Sequence, residues 1–326
     1  MGADGDENGL TYARAGVDIE ASEAATAALV DAVDDAGAGA YAGVVDLGDR
    51  YLGVTTDGVG TKLLVAEALG DYSTVGIDCV AMNVNDLVAA GVDPVAFVDY
   101  LAVETPDEAV AEQLGEGLAT GARAAGVALV GGETAVMPEV VSGLDLAGTA
   151  VGVAAKDARF PGEAGPGDAL VGWASSGVHS NGLTLAREAV SRDHDYGDPF
   201  PPDPDRSVGE VLLEPTRLYV DLLAPMRDHG VHAAAHVTGG GWTNLERLGA
   251  HRYVVDDPPP AQPVFDVIQA AGGVSDDEMH RTFNMGTGFV AALDADDADA
   301  LADATGGRVV GRVESGEGVA IRGLEL

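Results

Sequence analysis

The sequence has one cysteine, Cys79, and only two lysines, Lys62 and Lys156, among its 326 residues. A single cysteine excludes an intramolecular disulfide and any metal site built from several cysteines. No apolar run reaches the roughly 18 residues that a membrane-spanning helix needs. The acidic N-terminus also lacks the basic and apolar regions of a signal peptide. We therefore expect a cytoplasmic protein with no membrane partner.

Basic residues are scarce as a class: 17 lysines and arginines stand against 54 aspartates and glutamates, which gives a net charge of −37. Nucleic-acid binding depends on lysine and arginine at the phosphates, so this balance argues against a nucleic-acid partner. The charge does not indicate disorder, because 46% of the residues are hydrophobic and they fall in periodic blocks.

The acidic, lysine-poor composition is typical of a halophilic protein and predicts that folding depends on salt. At about 1 M salt the Debye length is roughly 3 Å, so surface carboxylates repel one another little. In dilute buffer the same charges destabilise the compact state. We expect the melting temperature, followed by circular dichroism, to rise between low and molar potassium chloride. A melting temperature that stays flat over this range would contradict the prediction.

Alternating strand and helix patterns predict two α/β domains, divided by the glycine- and proline-rich stretch 160–167 into residues 1–159 and 168–326. The elements predicted in the first half are a hairpin of strands 44–47 and 51–54, helices 73–90 and 106–125, and strands 95–103, 127–130 and 146–155. Those predicted in the second half are strands 169–173, 231–237, 287–293, 308–313 and 319–322, helices 182–190, 216–229 and 294–304, and a surface loop 193–205.

The octet from Thr55 to Lys62 combines one carboxylate, two glycines, three hydroxyls and a lysine at the end of a predicted strand. Glycines such as Gly58 and Gly60 let a backbone approach a ligand closely. Asp57 is suited to hold a hard cation through oxygen, and Lys62 is suited to contact phosphate as a point charge. Taken alone, the octet is equally consistent with a glycine-rich turn.

Two more carboxylates lie in polar blocks of the first half: Asp86 on the helix 73–90, and Glu133 after Gly131 and Gly132. Ligand groups in open α/β sheets gather just beyond the carboxyl ends of strands, so Glu133 is expected to complete a cation site with Asp57 and Asp86. Such a site suits magnesium with a nucleotide, since Mg²⁺ prefers few carboxylates together with phosphates and water. A solvated helix position and a polar turn are the plainer alternatives.

Two glycine-rich segments of the second half, 175–182 and 238–241, join a strand end to a helix start. Backbone N–H groups at a helix N-terminus make an anion site, although an ordinary helix cap is the simpler alternative. His179 lies in the first segment and is a candidate for either proton transfer or phosphate contact. Such glycine-rich polar segments recur where strands end and helices begin, and this recurrence favours a ligand-binding site over a set of ordinary turns.

In this order the blocks resemble phosphoribosylformylglycinamidine cyclo-ligase, the AIR synthetase of purine biosynthesis. The matching blocks are Tyr12 to Ile19, Thr56 to Lys62, Gly76 to Asp78, Val84 to Leu87, Leu129 to Ala135, Met137-Pro138, Ser175 to Gly182, Glu214 to Arg217, His236 to Gly241, and Arg281 to Asn284 with Gly286 and Gly288. The resemblance implies ATP-dependent closure of formylglycinamidine ribonucleotide to 5-aminoimidazole ribonucleotide, with release of ADP and phosphate. It also implies a homodimer whose N-terminal domains build a shared β-barrel, with the active clefts near the interface.

Carried over position by position, the resemblance implies catalytic roles for Asp57, Lys62 and His179, and a magnesium site on Asp57, Asp86 and Glu133. The implied contacts to ATP are Asp18, Gly58, Gly60, Thr61, Asn85, Gly131, Gly132 and Gly240. The implied contacts to the substrate are Ser176, Ser180, Asn181, Thr238 and Gly239.

Other ATP-dependent proteins of the same superfamily remain as alternatives. Selenophosphate synthetase needs a reactive N-terminal cysteine, and no cysteine precedes Cys79. Thiamine monophosphate kinase does not share the blocks 176–182 and 281–284 in this form. A non-catalytic ATP-binding maturation protein would bind nucleotide without turnover.

Overall fold

The computed structural model describes residues 9–17, 24–25 and 41–326. Within these, the first half of the chain forms a five-stranded sheet with helices packed on it. Its strands are β1 (Gly43–Asp46), β2 (Arg50–Gly58), β3 (Asp93–Val103), β4 (Ala128–Val136) and β5 (Leu144–Ala155), and its helices are α1 (Leu63–Leu69), α2 (Val75–Ala89) and α3 (Glu108–Ala125). The strand order is β1-β2-β5-β3-β4, and only β3 and β4 run parallel.

The second half forms a seven-stranded sheet and a small separate hairpin. Its strands are β6 (Ala169–Ala174), β7 (Pro199–Phe200), β8 (Asp203–Ser207), β9 (Ala233–His236), β10 (Arg252–Val255), β11 (Thr287–Leu293), β12 (Arg308–Glu314), β13 (Gly318–Ile321) and β14 (Leu324–Glu325). Its helices are α4 (Leu183–Val190), α5 (Val208–Leu212), α6 (Leu223–Asp228), α7 (Pro263–Gly272), α8 (Asp276–Thr282) and α9 (Ala295–Thr305). The strand order is β14-β13-β10-β12-β6-β11-β9, and β7 and β8 form a hairpin that begins inside the predicted surface loop 193–205 and ends at Ser207.

Helix α3 begins and ends where its local sequence specifies. The Asp107 side chain accepts hydrogen bonds from the N–H groups of Ala109 and Val110 at 2.9 and 3.1 Å, which satisfies donors of the first turn. Gly126 ends the helix in the left-handed conformation with φ of 69°, which glycine adopts without steric cost. The predicted helix 106–125 is therefore confirmed.

Helices α2 and α3 pack unusually closely because glycines face each other. A Cβ atom at Gly76 would lie 2.3 Å from the backbone nitrogen of Leu118, and one at Gly117 would lie 2.8 Å from the Ser73 carbonyl oxygen. Alanine at either position would force the helices apart, because backbone atoms cannot yield as a flexible side chain does. This contact fixes the position of α2 relative to α3. It therefore also fixes the positions of the polar residues that α2 carries.

Helix α2 is buried on almost all sides, because its outer face packs against the second half of the chain. Val88 and Ala89, near its C-terminus, share a hydrophobic cluster with Tyr219, Leu222 and other residues of the second half. A helix buried all round is normally hydrophobic all round, yet α2 carries several buried polar residues: Asp78, Asn83 and Asn85. These side chains therefore need partners across the junction.

Two predicted elements are wrong in the described structure. The segment predicted as helix 216–229 is helical only from Val220, and its first residues instead bond to α2 across the junction. The block from Gly131 to Glu133, expected as a loop beyond a strand, lies inside β4, which continues to Val136. In both cases hydrogen bonding to a distant segment overrides the local pattern.

Candidate active site

Asp57 lies one residue before the end of β2, on the sheet face that α2 covers. Alternate residues share this face, and a side chain added at Gly53 would lie 3.1 Å from Cδ2 of Leu87 on α2. The Asn83 amide of α2 donates to the Asp57 carbonyl oxygen at 3.1 Å. The Gly58 N–H donates to Asp57 Oδ1 at 2.7 Å. The Asp57 carboxyl is therefore held at the junction of β2 and α2.

Asp86 on α2 interacts electrostatically with Asp57. The pKa of Asp57 is raised to about 6, first because the carboxyl is removed from water and second because the charge of Asp86 lies nearby. The Gly58 N–H and the His236 ring oppose this shift. Two poorly solvated carboxylates that repel each other form a site that a divalent cation would stabilise. The structure therefore brings together two of the three predicted magnesium ligands.

We expect this raised pKa to appear in the pH dependence of folding. The folded pKa of about 6 exceeds the unfolded value of about 3.9. Protonated Asp57 therefore favours the folded state below the unfolded pKa, and this contribution is lost as pH rises through the folded pKa. Denaturant titrations at pH 4 to 7 measure the free energy of unfolding of the wild type and of Asp57→Asn. The wild-type value minus the variant value should fall as the pH rises to about 6 and then level off. A pH-independent difference would contradict the expectation.

His236, which the sequence reasoning gave no role, holds Asp86 in place. Its Nδ1 lies 2.9 Å from Asp86 Oδ1, and its Nε2 lies 3.4 Å from the Asn85 amide nitrogen. The amide nitrogen can only donate, so Nε2 accepts and Nδ1–H donates to Asp86. The ring is fully buried at the end of β9. Its place in the matching block His236 to Gly241, just before a glycine-rich turn, was the signal available in the sequence.

Asn85 was predicted to contact ATP, but both polar atoms of its side chain form hydrogen bonds within the protein. Its Nδ2 donates to the Arg217 carbonyl oxygen at 2.8 Å, and its Oδ1 accepts from the Tyr219 N–H at 2.9 Å. The residue is fully buried. Asn85 therefore ties α2 to the segment that precedes α6, and this geometry offers no polar atom of its side chain to a nucleotide.

Lys62 is also placed differently from the prediction. Its ammonium is completely buried and lies 2.8 Å from Asp78 Oδ2, while donating to Asp78 Oδ1 at 2.9 Å and to the Glu214 carbonyl oxygen at 2.7 Å. Asp78 Oδ1 also accepts from the N–H and hydroxyl of Thr216 at 2.7 and 2.6 Å. Burial lowers the pKa of Lys62, and the Asp78 charge opposes that shift. In this conformation Lys62 joins the two halves of the chain, and its contact to phosphate stays a prediction.

His179 lies in the loop between β6 and α4 with a positive φ of 64°. Its Nε2 accepts from the Ser176 N–H at 3.1 Å and from the Arg217 N–H at 3.5 Å, so the proton lies on Nδ1. Nδ1 is buried and has no hydrogen-bond partner among the described residues. Burial lowers the pKa of His179 well below its usual range, assisted by the nearby His236 ring and by the charges of Lys62 and Arg217. His179 is therefore a neutral residue that orders the loop, and its catalytic role stays a prediction.

The other predicted substrate residues line the same junction. Ser176 donates its hydroxyl to the Pro215 carbonyl oxygen at 2.6 Å. Ser180 has a buried hydroxyl without a partner in the described part of the chain. The Asn181 amide points at the Met82 sulfur of α2 at 3.7 Å. Ser180 is thus, with His179 Nδ1, a member of this loop whose hydrogen-bonding capacity is unused in the described structure.

The turn after β9 approaches this loop. A Cβ atom at Gly239 would lie 3.3 Å from Asn181 Oδ1. Thr238 donates both its N–H and its hydroxyl to Asn244 Oδ1, at 2.7 and 3.2 Å. Gly240 has a φ of 103°, which excludes most other residues. The turn is held by its own hydrogen bonds and contacts the 175–182 loop where Gly239 lies against Asn181.

The octet itself continues past the carboxylate in a short helical turn. Gly60 begins this turn with a φ of 69°. The Thr61 hydroxyl lies 2.9 Å from the Thr184 hydroxyl of α4, so the octet contacts the helix that follows the His179 loop. Asp18, the predicted N-terminal contact to ATP, lies outside the described residues.

Glu133 is not brought to Asp57 within one chain, and neither are Gly131 and Gly132. Asp57 pairs with Gly148 on β5, which pairs with Asp99 on β3, which pairs with Gly132 on β4. Three strand spacings separate the first from the last, or roughly 14 Å at about 4.8 Å each. A cation site of Asp57, Asp86 and Glu133 in one chain is therefore wrong for this geometry.

A three-donor group does occur elsewhere among residues 9–17, 24–25 and 41–326: donor atoms of Asp168, His232 and Asp294 lie within 4.8 Å of one another. These residues flank the start of β6, the start of β9 and the end of β11. They therefore lie at the opposite end of the second sheet from His179 and His236. This group is not part of the candidate active site.

Arg217 is the second residue that sequence reasoning missed, although it lies in a matching block. Its guanidinium donates to the Ala174 carbonyl oxygen at 3.1 Å and lies 5.3 Å from the centre of the Tyr219 ring. The side chain is partly exposed and forms no ion pair within the described residues. Arg217 therefore places a partly exposed positive charge at this junction.

The sequence matches the family described as AIR synthase related protein, through its N-terminal domain at residues 39–154 and its C-terminal domain at residues 165–323. A Methanosarcina acetivorans protein named phosphoribosylformylglycinamidine cyclo-ligase is 47% identical, with 95% of this chain and 97% of that protein covered. A Pyrococcus furiosus protein of the same name is 46% identical, with 89% and 90% covered.

Solved structures show the same fold at lower identity. AaThiL complexed with AMPPCP and TMP has a TM-score of 0.65 at 17% identity, with 95% of this chain and 94% of that chain covered. A structure described as T. maritima PurL complexed with FGAR has a TM-score of 0.64 at 19% identity, with 92% of this chain and 48% of that chain covered. These likenesses support the fold alone. By its sequence relatives, the chain belongs to the phosphoribosylformylglycinamidine cyclo-ligase family.

Proposed function

We propose that this chain closes formylglycinamidine ribonucleotide to 5-aminoimidazole ribonucleotide at the junction of its two halves, with release of ADP and phosphate. The relatives at 46–47% identity carry the name of this cyclo-ligase. The observation that carries the placement is the carboxylate pair Asp57–Asp86, which lies beside the 175–182 loop and the turn after β9.

ATP and Mg²⁺ are the proposed co-substrate and metal. Structures with this fold are described as complexed with AMPPCP, with ATP and with ADP. The donor set fits a hard cation: two carboxylates, and Asn83 Oδ1, which is buried without a partner in the described structure. Asp57 and Asp86 would hold Mg²⁺ together with phosphate oxygens and water. When bound, the metal would neutralise charge on the transferring phosphoryl group.

The chemistry has two steps that balance. The formyl oxygen of the substrate attacks the γ-phosphorus of ATP, and ADP leaves. The amidine nitrogen then attacks the formyl carbon, the C–O bond breaks, phosphate leaves, and the nitrogen loses its proton as the ring forms. The second step is intramolecular, so holding the substrate bent, with its amidine nitrogen beside its formyl carbon, supplies much of the acceleration.

The residues of the chain contribute binding, orientation and charge. Arg217 would stabilise negative charge on the phosphoryl oxygens, as a guanidinium does in other phosphoryl-transfer sites. The unpartnered Ser180 hydroxyl and the backbone N–H groups at the start of α4 would hold the substrate. His179 would keep this loop in its strained conformation as a neutral side chain.

A homodimer is part of the proposal. β1 and β4 are the outer strands of the first sheet among the described residues, and unpaired outer strands invite pairing with another chain. Large apolar side chains on β1, β3 and β4 are exposed: Val45, Val95, Val98, Tyr100, Val130 and Val136. Exposed apolar surface of this kind marks an interaction site. A barrel shared by two first sheets would cover it.

In such a dimer, we expect Glu133 to reach the Asp57–Asp86 pair of the partner subunit. Asp57→Asn and Glu133→Gln should each be inactive alone. When the two variants are refolded together they pair at random, so half of the dimers contain one copy of each. In such a mixed dimer one site has both Asp57 and Glu133 intact, and the other site carries both substitutions. The mixture should therefore recover about a quarter of wild-type activity.

The matched control mixes Asp57→Asn with Asp86→Asn, which share one site and should give no recovery. If the Asp57→Asn and Glu133→Gln mixture also stays inactive, Glu133 does not act across the dimer. Sedimentation of the wild type as a monomer would contradict the dimer itself.

The remaining assignments are proposals as well. Residues 1–159 would form the ATP-binding and dimerisation domain, and residues 168–326 the C-terminal α/β domain. The described part of the chain has no helix long and apolar enough to cross a membrane. Location in the cytoplasm and the lack of a nucleic-acid partner stay predictions from composition.

The proposed function is tested by measuring ADP release in molar potassium chloride with and without formylglycinamidine ribonucleotide. We expect ADP release to require this substrate and to match imidazole product one to one. Nucleotide binding without turnover would instead indicate a non-catalytic ATP-binding protein. ADP release with thiamine monophosphate, but not with the ribonucleotide, would indicate a kinase of the same fold.

A further inference from the structure

A small cavity of about 70 Å³ lies between the two halves of the chain, behind the candidate active site. It is bounded by the C-terminal end of α2, the connection between the two sheets, the start of β9 and the helical turn after Gly240. Its lining residues are Tyr41, Ala42, Ala89, Ala90, Arg159, Phe160, Gly162, Ala233, Ala234, Arg247 and Leu248. It is thus built from both halves.

The charge of this cavity is opposite to that of the protein. The chain has 54 acidic and only 17 basic residues, yet the two charged residues that line the cavity, Arg159 and Arg247, are both arginines. Among residues 9–17, 24–25 and 41–326, no carboxylate lines it. In a chain with three times as many acidic as basic side chains, a concave surface whose charged described residues are both arginines is unexpected as a solvated surface.

The two guanidinium groups have hydrogen-bonding capacity left over. Arg247 lies 4.9 Å from the centre of the Tyr41 ring, and Arg159 lies 5.6 Å from the centre of the Tyr51 ring. Arg159 Nε is buried and has no acceptor among the described residues. Neither arginine forms an ion pair with a described carboxylate. Arg247 also makes a side-chain hydrogen bond to the Tyr41 hydroxyl, so the N–H groups available for a further acceptor are its remaining ones and those of Arg159.

We propose that this cavity binds a tetrahedral oxyanion of the phosphate type between Arg159 and Arg247. Guanidinium groups match phosphate oxygens with paired, charge-assisted hydrogen bonds. The cavity is far smaller than the roughly 300–1,000 Å³ of a drug-sized ligand site, so it takes one phosphate group and not a whole nucleotide. The ligand is either inorganic phosphate or the phosphate end of a larger molecule that extends into solvent.

One hydrogen bond connects this cavity to the active site. The Tyr41 hydroxyl donates to the His236 carbonyl oxygen at 3.1 Å, and the His236 ring holds Asp86. A bound anion that moves Arg247 and Tyr41 would therefore act on β9 at the residue that positions Asp86. The site itself does not depend on the proposed function, because its ligand is recognised outside the cleft.

The test is equilibrium binding of labelled inorganic phosphate in molar potassium chloride, with a non-hydrolysable ATP analogue and 5-aminoimidazole ribonucleotide at saturation to occupy both phosphate positions of the active site. We expect one saturable site per chain in the wild type. Arg159→Gln and Arg247→Gln should each weaken binding at least about tenfold, the loss of one charge-assisted contact. The matched control, Arg123→Gln on the exposed surface of α3, should bind phosphate as the wild type does.

Glycerol 3-phosphate in the same assay separates the two sources of the ligand. Equal affinity identifies the free anion, and tighter binding of the ester identifies a ligand that extends out of the cavity; both support the site. Tungstate soaked into wild-type crystals should give anomalous density between the two guanidinium groups, a readout that needs no variant. Unsaturable phosphate binding, or equal binding by both arginine variants and the wild type, would overturn the proposal.

Discussion

Replacing Asp57 by asparagine is expected to lower kcat by about 10²- to 10³-fold, the usual cost of removing one preorganised electrostatic group. The carboxylate is needed only when Mg²⁺ and ATP are bound, and asparagine has the same shape. The bonds from Asn83 to the backbone carbonyl and from Gly58 to the side-chain oxygen can both persist. The folded state should therefore survive, as measured by denaturant unfolding beside steady-state kinetics.

Asp49→Asn, in the exposed turn between β1 and β2, is the matched control for Asp57→Asn. It removes the same charge from the same hairpin and is expected to leave kcat unchanged. Full activity of Asp57→Asn would remove Asp57 from the cation site. An equal loss in both variants would show that net charge, and not the site, is responsible.

Replacing Lys62 by methionine is expected to have the largest effect on stability. It leaves Asp78 as an uncompensated buried charge, which typically costs about 3–5 kcal/mol of unfolding free energy. The double variant Lys62→Met/Asp78→Asn should recover most of that loss, because asparagine keeps an oxygen acceptor for Thr216 without the charge. Denaturant unfolding of the two variants in molar potassium chloride measures both effects.

The same pair of variants distinguishes the two roles of Lys62. If Lys62 contacts phosphate, Lys62→Met should keep its stability and raise KM for ATP, and Asp78→Asn should not rescue it. If Lys62 joins the two halves of the chain, stability falls first and the double variant regains it. A stable Lys62→Met protein with weak ATP binding would contradict the structural role.

Elements whose pattern is local were predictable from the sequence. The β1–β2 hairpin and α2 lie where alternation and the helical repeat indicate. The residues before α6 were not predictable, because their apolar spacing resembles a helix while their backbone groups bond to Asp78 and Asn85. No pattern within the segment itself reports these distant partners.

The candidate site likewise contains residues whose positions were predictable from local patterns and residues whose positions were not. Asp57 and Asp86 were correctly expected to lie together, since a strand end and the polar side of a helix both pointed to one ligand. Glu133 was misplaced because strand order is not written in any local pattern, and β5 inserts between β2 and β3. The pairing of Lys62 with Asp78 was not predictable, because its charge alone cannot tell whether a carboxylate or a phosphate is its partner.

The most direct test of the account follows the formyl oxygen of the substrate. Formylglycinamidine ribonucleotide labelled with ¹⁸O in its formyl group is incubated with the protein, ATP and Mg²⁺ in molar potassium chloride, and the released phosphate is analysed by mass spectrometry. If the chain phosphorylates this oxygen and then expels it, each phosphate carries one ¹⁸O and appears with one ADP and one imidazole product. Unlabelled phosphate, or ADP released without ring closure, would contradict the account.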